Sequence, residues 1–259
     1  MKNRGKLLLI LLVIVGAFVS CNAQSENKEV QEIKKVVHKK RQIIPLNNRD
    51  ISRISEFIDT SLLSRYYDQI VAFEKDDSIH PSRKVDVVFS GSSSIRKWET
   101  LSNDMPGLKV INRGFGGSTV PEAIYYADVL FFKHHPEKIV FYSGDNDVGF
   151  QLWEVNQVIE SYKYFYAVLR SHLPDTKIYF VSLKPSPGRM RYWPKMEKVN
   201  EFLKKFAGEH ENCFYIDGAS CFLDGKGDVK KEYFIYDGVH LNKAGYKLWS
   251  KIIYNEIKN

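Results

Sequence analysis

Four short blocks in this chain of 259 residues combine side chains that can carry out acyl chemistry. The first is Gly91-Ser92-Ser93-Ser94, directly after an apolar run. A serine in a tight turn between a strand and a helix stands clear of the sheet, with its backbone N–H aligned with the helix N-terminus. That placement suits a nucleophile that attacks a carbonyl and then steadies the resulting oxyanion. Serine and glycine also build ordinary capped turns, so the block alone leaves both readings open. The second block is Asn112-Arg113-Gly114-Phe115-Gly116-Gly117-Ser118-Thr119. Its glycines let backbone N–H groups approach a ligand closely. Their spacing matches neither a dinucleotide-binding G-x-G-x-x-G nor a phosphate-binding loop ending in Gly-Lys-Ser/Thr. A tight turn before a helix capped by Ser118 or Thr119 is the alternative. The third, Gly144-Asp145-Asn146-Asp147, places an amide where it can donate into a cleft, or forms a polar turn with an Asx bond. The fourth is Asp237-Gly238-Val239-His240, followed by Asn242-Lys243-Ala244-Gly245-Tyr246. Because the two are three residues apart, one loop can set the Asp237 carboxylate on one imidazole nitrogen of His240 and leave the other nitrogen free as a base.

These blocks need elements to position them. Val85 to Phe89, Lys109 to Ile111, Lys138 to Tyr142, Lys177 to Val181 and Cys213 to Ile216 read as short apolar strands. Helical stripes separate them, most clearly Val155, Val158, Ile159, Tyr162, Phe165, Tyr166 and Leu169. The final stripe is Leu248, Trp249, Ile252, Ile253 and Ile257. Strands that are nearly all apolar and alternate with helices predict a parallel sheet covered on both faces, in a three-layer αβα sandwich. In such sheets ligands bind at the carboxyl ends of the strands, where all four blocks fall. Ahead of the sheet, Ile54, Ile58, Leu62 and Leu63, and then Tyr66, Ile70 and Phe73, keep helical spacing and predict N-terminal helices along one edge of the domain.

Taken together and in this order, the blocks resemble the SGNH hydrolases, also called GDSL esterases and lipases. The resemblance spans about Val87 to Ile257. It implies a flavodoxin-like fold with a mostly five-stranded central parallel sheet, Ser93 as nucleophile, His240 as general base and Asp237 as orienting acid. It also implies an oxyanion hole made of the Ser93 and Gly117 backbone N–H groups and the Asn146 side chain. One position departs from the pattern: the residue before the nucleophile is Ser92, where the family has Asp. The Gly-Ser-Ser-Ser-Ile-Arg and Asn-Arg-Gly-Phe-Gly-Gly forms look like an exported bacterial branch. An α/β-hydrolase elbow, G-x-S-x-G, fits less well, because Ile95 occupies the second glycine position. The activity implied is hydrolysis of carboxylic esters through an acyl-serine, with short acyl groups on carbohydrate as the expected substrate. Alternatives are a lysophospholipase or acyl-thioesterase, an acyltransferase, or a surface glycan-binding lipoprotein without activity. No cofactor, metal or nucleic-acid partner is expected.

The N-terminus reads as an export signal. Lys2, Arg4 and Lys6 precede an apolar run of 13 residues, Leu7 to Val19. A membrane-spanning helix needs about 20, so the run fits a signal peptide over residues 1–20. Phe18-Val19-Ser20-Cys21 resembles a lipobox, which makes Cys21 the expected lipidation site and membrane anchor; the alternative is ordinary cleavage near Ala23, which discards Cys21 and leaves a soluble exported protein. Each buried acyl methylene would contribute about 0.8 kcal/mol. Residues 21–48 then form a polar tether with a basic run from Lys34 to Arg41, and residues 49–259 the hydrolase domain. Loss of Lys2, Arg4 and Lys6 lowers the formal charge from +7 to +4, weak evidence for nucleic acid. Hydrophobic residues at 44% exclude wholesale disorder, and three cysteines exclude a disulfide scaffold. Cys213 lies in a predicted strand and reads as a buried thiol, although pairing with Cys221 is open. His134-His135 lacks the partners of a zinc site. The loop from Lys184 to Trp193 either rims the pocket with its Arg, Tyr and Trp residues or packs on its own aromatics.

Overall fold

The structure, a computed structural model, describes residues 60–258. The expected signal segment, Cys21, the tether over 21–48, and Ile54 and Ile58 lie outside the described residues. A 3-10 turn, Thr60–Tyr66, leads into helix α1, Tyr67–Ile79. The predicted α-helical spacing thus becomes 3-10 before α1. At three residues per turn, Leu63 and Tyr66 fall on one face, and both are buried.

Five strands follow: β1 Val87–Gly91, β2 Val110–Gly114, β3 Lys138–Tyr142, β4 Lys177–Val181 and β5 Cys213–Ile216. All neighbouring pairs are parallel, in the order β2-β1-β3-β4-β5. This is the doubly wound order with its crossover beside β1. Every residue of β1 and β3 is buried. Successive strand residues point to opposite faces, so both faces of the sheet are covered, as a three-layer sandwich requires.

The helices that matter for the site are α2 Ser93–Arg96, α3 Val120–Tyr125 and α4 Asp145–Gly149, each starting just beyond a strand end. Three longer helices complete the layers: α5 Val155–His172, α6 Trp193–Gly208 and α7 Lys243–Ile257. Their apolar stripes bury Val158, Tyr162, Phe165 and Leu169 on α5 and Trp249, Ile253 and Ile257 on α7. Aromatic clusters pack on both faces of the sheet: Trp98 lies against Phe89, Tyr246 and Trp249 on one, and Phe141 stacks on Phe165 on the other.

Two strands differ from their predicted ends. β1 runs on through Ser90 and Gly91, because Gly91 pairs with Gly114 on one side and Tyr142 on the other. Asn112, Arg113 and Gly114, assigned to a loop by their polarity, are the last residues of β2. Their polar groups find partners: Asn112 Nδ2 donates to the Ile95 carbonyl at 2.7 Å, and buried Arg113 pairs with Asp76 and Asp77 of α1. Cys213 and Cys221 are both free thiols, and Cys213 is buried. No helix among the described residues is long and apolar enough to cross a membrane.

Candidate active site

The carboxyl end of β1 turns sharply at Gly91, whose φ is +133°. A Cβ at this position would lie 1.8 Å from the Tyr142 carbonyl oxygen, so only glycine lets β1 and β3 stay paired there. The Ser92 N–H donates to that same carbonyl at 3.0 Å, and Ser93 opens α2. Across the molecule, Asp237 folds its loop around itself. Its Oδ1 accepts from the N–H groups of Val239 and His240, both at 2.9 Å. Its Oδ2 lies 2.6 Å from His240 Nδ1, and His240 Nε2 lies 2.8 Å from Ser93 Oγ. Ionised Asp237 holds the proton on Nδ1, which leaves the Nε2 lone pair to accept from the serine hydroxyl.

The electrostatics support this arrangement. Burial would raise the Asp237 pKa, but the N–H groups of His240 and Val239 and the imidazole outweigh it and hold the carboxyl down at about 2. For His240, burial is the largest influence and lowers its pKa; Asp237 opposes this, and Lys97 and Lys184 reinforce it. The net result lies below the ordinary histidine value, so the ring is a neutral acceptor at pH 7. Lys184 itself is buried behind the site, over the Tyr142 ring, and burial pushes its ammonium down to about 8.

The predicted oxyanion donors converge on the same cleft. Among the described residues, the N–H groups of Ser93 and Gly117 donate to no protein acceptor. Gly117 adopts φ +82°; Gln69 Oε1 accepts from the N–H of the preceding residue, Gly116, at 2.7 Å, and the Tyr66 hydroxyl lies 3.1 Å from the Gly117 carbonyl. Asn146 donates one amide hydrogen to the Ser118 carbonyl at 2.9 Å, and its Oδ1 accepts from Arg189 Nη2 at 2.8 Å. That pairing fixes the amide's orientation and leaves its second hydrogen for the cleft. The cleft encloses about 610 Å³, and its walls include Ser93, His240, Gly117 and Asn146.

Several contributors had no motif to reveal them. Tyr66, expected on an edge-covering helix, lines the cleft together with Arg65 and Gln69, which no motif singles out. Tyr66 and Arg65 both bind Glu122 of α3, whose carboxylate also caps Thr119 N–H at 2.8 Å. The loop after β4 divides between its two readings: Arg189 reaches the cleft, while Arg191 stacks on its neighbour Tyr192. The departure at Ser92 also acquires a partner. Ser92 Oγ lies 3.3 Å from Asp145 Oδ1, so the carboxylate beside position 92 comes from the tip of β3. His134 sits near Asp77, and no group of three or more His, Cys, Asp or Glu among the described residues is placed to hold a metal ion.

A doubly wound sheet with a Ser-His-Asp chain at its carboxyl edge defines a serine hydrolase framework. The GDSL-like lipase/acylhydrolase family model matches residues 77–248. The chain belongs to that family and is a carboxylic ester hydrolase. Solved structures share the fold. One from Streptococcus pneumonia, named for platelet activating factor, is 20% identical with a TM-score of 0.67, covering 79% of this chain and 98% of its own. A GDSL-like lipase from Bacteroides thetaiotaomicron is 18% identical with a TM-score of 0.59, covering 76% and 97%. A carbohydrate esterase family 3 structure from Talaromyces cellulolyticus is 16% identical with a TM-score of 0.54, covering 67% and 96%. Comparison with curated proteins returns no match.

Proposed function

We propose that the protein is an extracytoplasmic serine esterase that removes short acyl groups from polar alcohols, with carbohydrate O-acetyl esters as the substrate class. The observation that carries the reading is the unbroken chain from Ser93 Oγ through His240 to Asp237, at 2.8 and 2.6 Å. His240 Nε2 takes the Ser93 proton as Oγ attacks the ester carbonyl carbon. The carbonyl oxygen becomes an oxyanion facing the N–H groups of Ser93 and Gly117 and the Asn146 amide. Donors of this kind contribute about 3–4 kcal/mol each. Collapse of the intermediate breaks the carbon–alkoxy bond, and the leaving alcohol takes the proton from His240. Water then attacks the acyl-serine, again deprotonated by His240, to release the acid and restore the serine.

The substrate class rests on the cleft walls. They set the polar heads of three arginines, Gln69, Asn146, Ser93 and His240 among the rings of Tyr66 and Phe150 and the apolar stems of the arginines. Such walls favour a small acyl group on a hydrophilic alcohol over the long apolar groove a lysophospholipase or acyl-thioesterase needs. The carbohydrate esterase among the structural neighbours lends support. The extracytoplasmic setting rests on the apolar run Leu7 to Val19 and on Cys21 as anchor.

Ser93→Ala is expected to reduce hydrolysis of 4-nitrophenyl acetate by at least 10⁴-fold and to abolish labelling by a fluorophosphonate, with an unchanged circular dichroism spectrum. Wild-type turnover in that variant would refute the assignment. A glycan-binding protein without activity would not label at all.

A further inference from the structure

The charged side chains that line the cleft above Ser93 include three arginines. Arg65, Arg96 and Arg189 line it, and no Asp or Glu does. Two of these arginines are matched by carboxylates: Arg65 Nη2 lies 2.6 Å from Glu122, and Arg189 Nη1 lies 3.1 Å from Asp145. Arg96 has no carboxylate in ion-pair range among the described residues. It is exposed, and it sits three residues after Ser93 on the same helical turn, where i and i+3 side chains are neighbours.

Arg96 is also seated rather than loose. Its side chain crosses Gly116 so closely that a Cβ there would lie 2.6 Å from Nε and 3.1 Å from Cζ. The Gly116 N–H is held by Gln69 at 2.7 Å, so the seat itself is fixed. Lys97 and Lys184 add positive potential at His240, against the larger opposing influence of Asp237. A concave site with one sign of charge concentrates ligands of the opposite sign. A guanidinium prefers the two-oxygen edge of a carboxylate or phosphate.

Building on the esterase reading, we propose that the substrate's alcohol portion carries a carboxylate or phosphate group, recognised by the unmatched guanidinium of Arg96. An acetyl group bears no charge, so with a short acyl chain the anion must belong to the alcohol.

Three acetate esters test this: an O-acetylated methyl glucoside, the corresponding glucuronoside with a free carboxylate, and acetylglycerol phosphate. At low salt, wild-type kcat/KM for one or both anionic esters should exceed that for the glucoside about 10-fold or more, through KM. The advantage should shrink as sodium chloride screens the site. Arg96→Glu should reduce the anionic-to-neutral ratio at least 10-fold, and Arg96→Lys should retain part of it. Advantage for the glucuronoside alone assigns a carboxylate, and for acetylglycerol phosphate alone a phosphate; either outcome supports the proposal. Equal rates on all three esters, an advantage insensitive to salt, or an unchanged ratio in Arg96→Glu would overturn it while leaving the esterase reading intact. If the wild type cleaves none of the three, the esterase reading falls, and the charge proposal with it.

Discussion

His240 is under opposing influences. Burial and the nearby Lys97 and Lys184 lower its proton affinity, Asp237 raises it, and the lowering wins. An active-site base must be unprotonated to work, so activity follows the neutral fraction. The acid limb of the kcat/KM profile should therefore have its midpoint below pH 6.5, the ordinary histidine value, with a plateau at pH 7–8. Stopped-flow or steady-state rates on a neutral acetate ester between pH 4 and 8 check this; a midpoint above 6.5 would contradict it. Ser92 is instructive at the same scale. A small buried hydroxyl stands where the family has a carboxylate, and Asp145 brings a carboxylate within 3.3 Å of it.

Between the strands and the reacting atoms, the 3-10 turn Pro187–Tyr192 acts as a brace. The Gly188 N–H donates to the Gly238 carbonyl at 2.8 Å, inside the Asp237–His240 loop. The next residue, Arg189, donates to the Asp145 carbonyl and to Asn146 Oδ1, both at 2.8 Å. One turn thus touches the loop that carries the proposed base and the helix that carries the proposed oxyanion amide. Arg189 is a positioning residue for Asn146, and its contribution should appear where charge develops on the substrate oxygen. Arg189→Ala is expected to lower kcat on a neutral ester about 10- to 100-fold with little change in KM, within the range of losing an oxyanion donor. Combined with Asn146→Ala, the losses should be strongly non-additive, because both act through one amide. Additive losses, or a change confined to KM, would assign Arg189 another role.

At the scale of the whole molecule, the site is built over a core that holds a buried acid. Asp147 is completely buried; its Oδ1 accepts from the Val120 N–H at 3.1 Å, and Oδ2 has no partner. Burial pushes its pKa up to about 8, against about 3.9 for an unfolded aspartate. The native state therefore keeps a proton that the unfolded chain releases between these values. Its contribution to stability is full below about pH 4 and is lost as pH rises towards 8. Asp147→Asn keeps the acceptor for Val120 and cannot ionise. Relative to the wild type, the variant's Tm should rise steadily between pH 5 and 8, a relative gain of up to a few kcal/mol. Thermal unfolding across that range checks this, and a pH-independent difference between the two proteins would exclude a raised Asp147 pKa.

How much was legible follows from which forces are local. Three of the five strands, β3, β4 and β5, have the boundaries their sequence runs predict, because their residues are apolar or aromatic after the opening lysines of β3 and β4. The four blocks were visible because turns need glycine, serine and Asx residues whatever the fold. β1 and β2 were misjudged at their ends, since Ser90-Gly91 and Asn112-Arg113-Gly114 look like turns until sheet neighbours and ion pairs satisfy them. Only the tertiary structure brought Ser93 and His240, 147 residues apart, within 2.8 Å. It alone put Tyr66 and Gln69 on the Gly116-Gly117 peptides, Arg189 on Asn146, and Arg96 over Gly116. Periodicity and turn chemistry act over a few residues, whereas these contacts depend on strand order and on which loops meet at one end of the sheet.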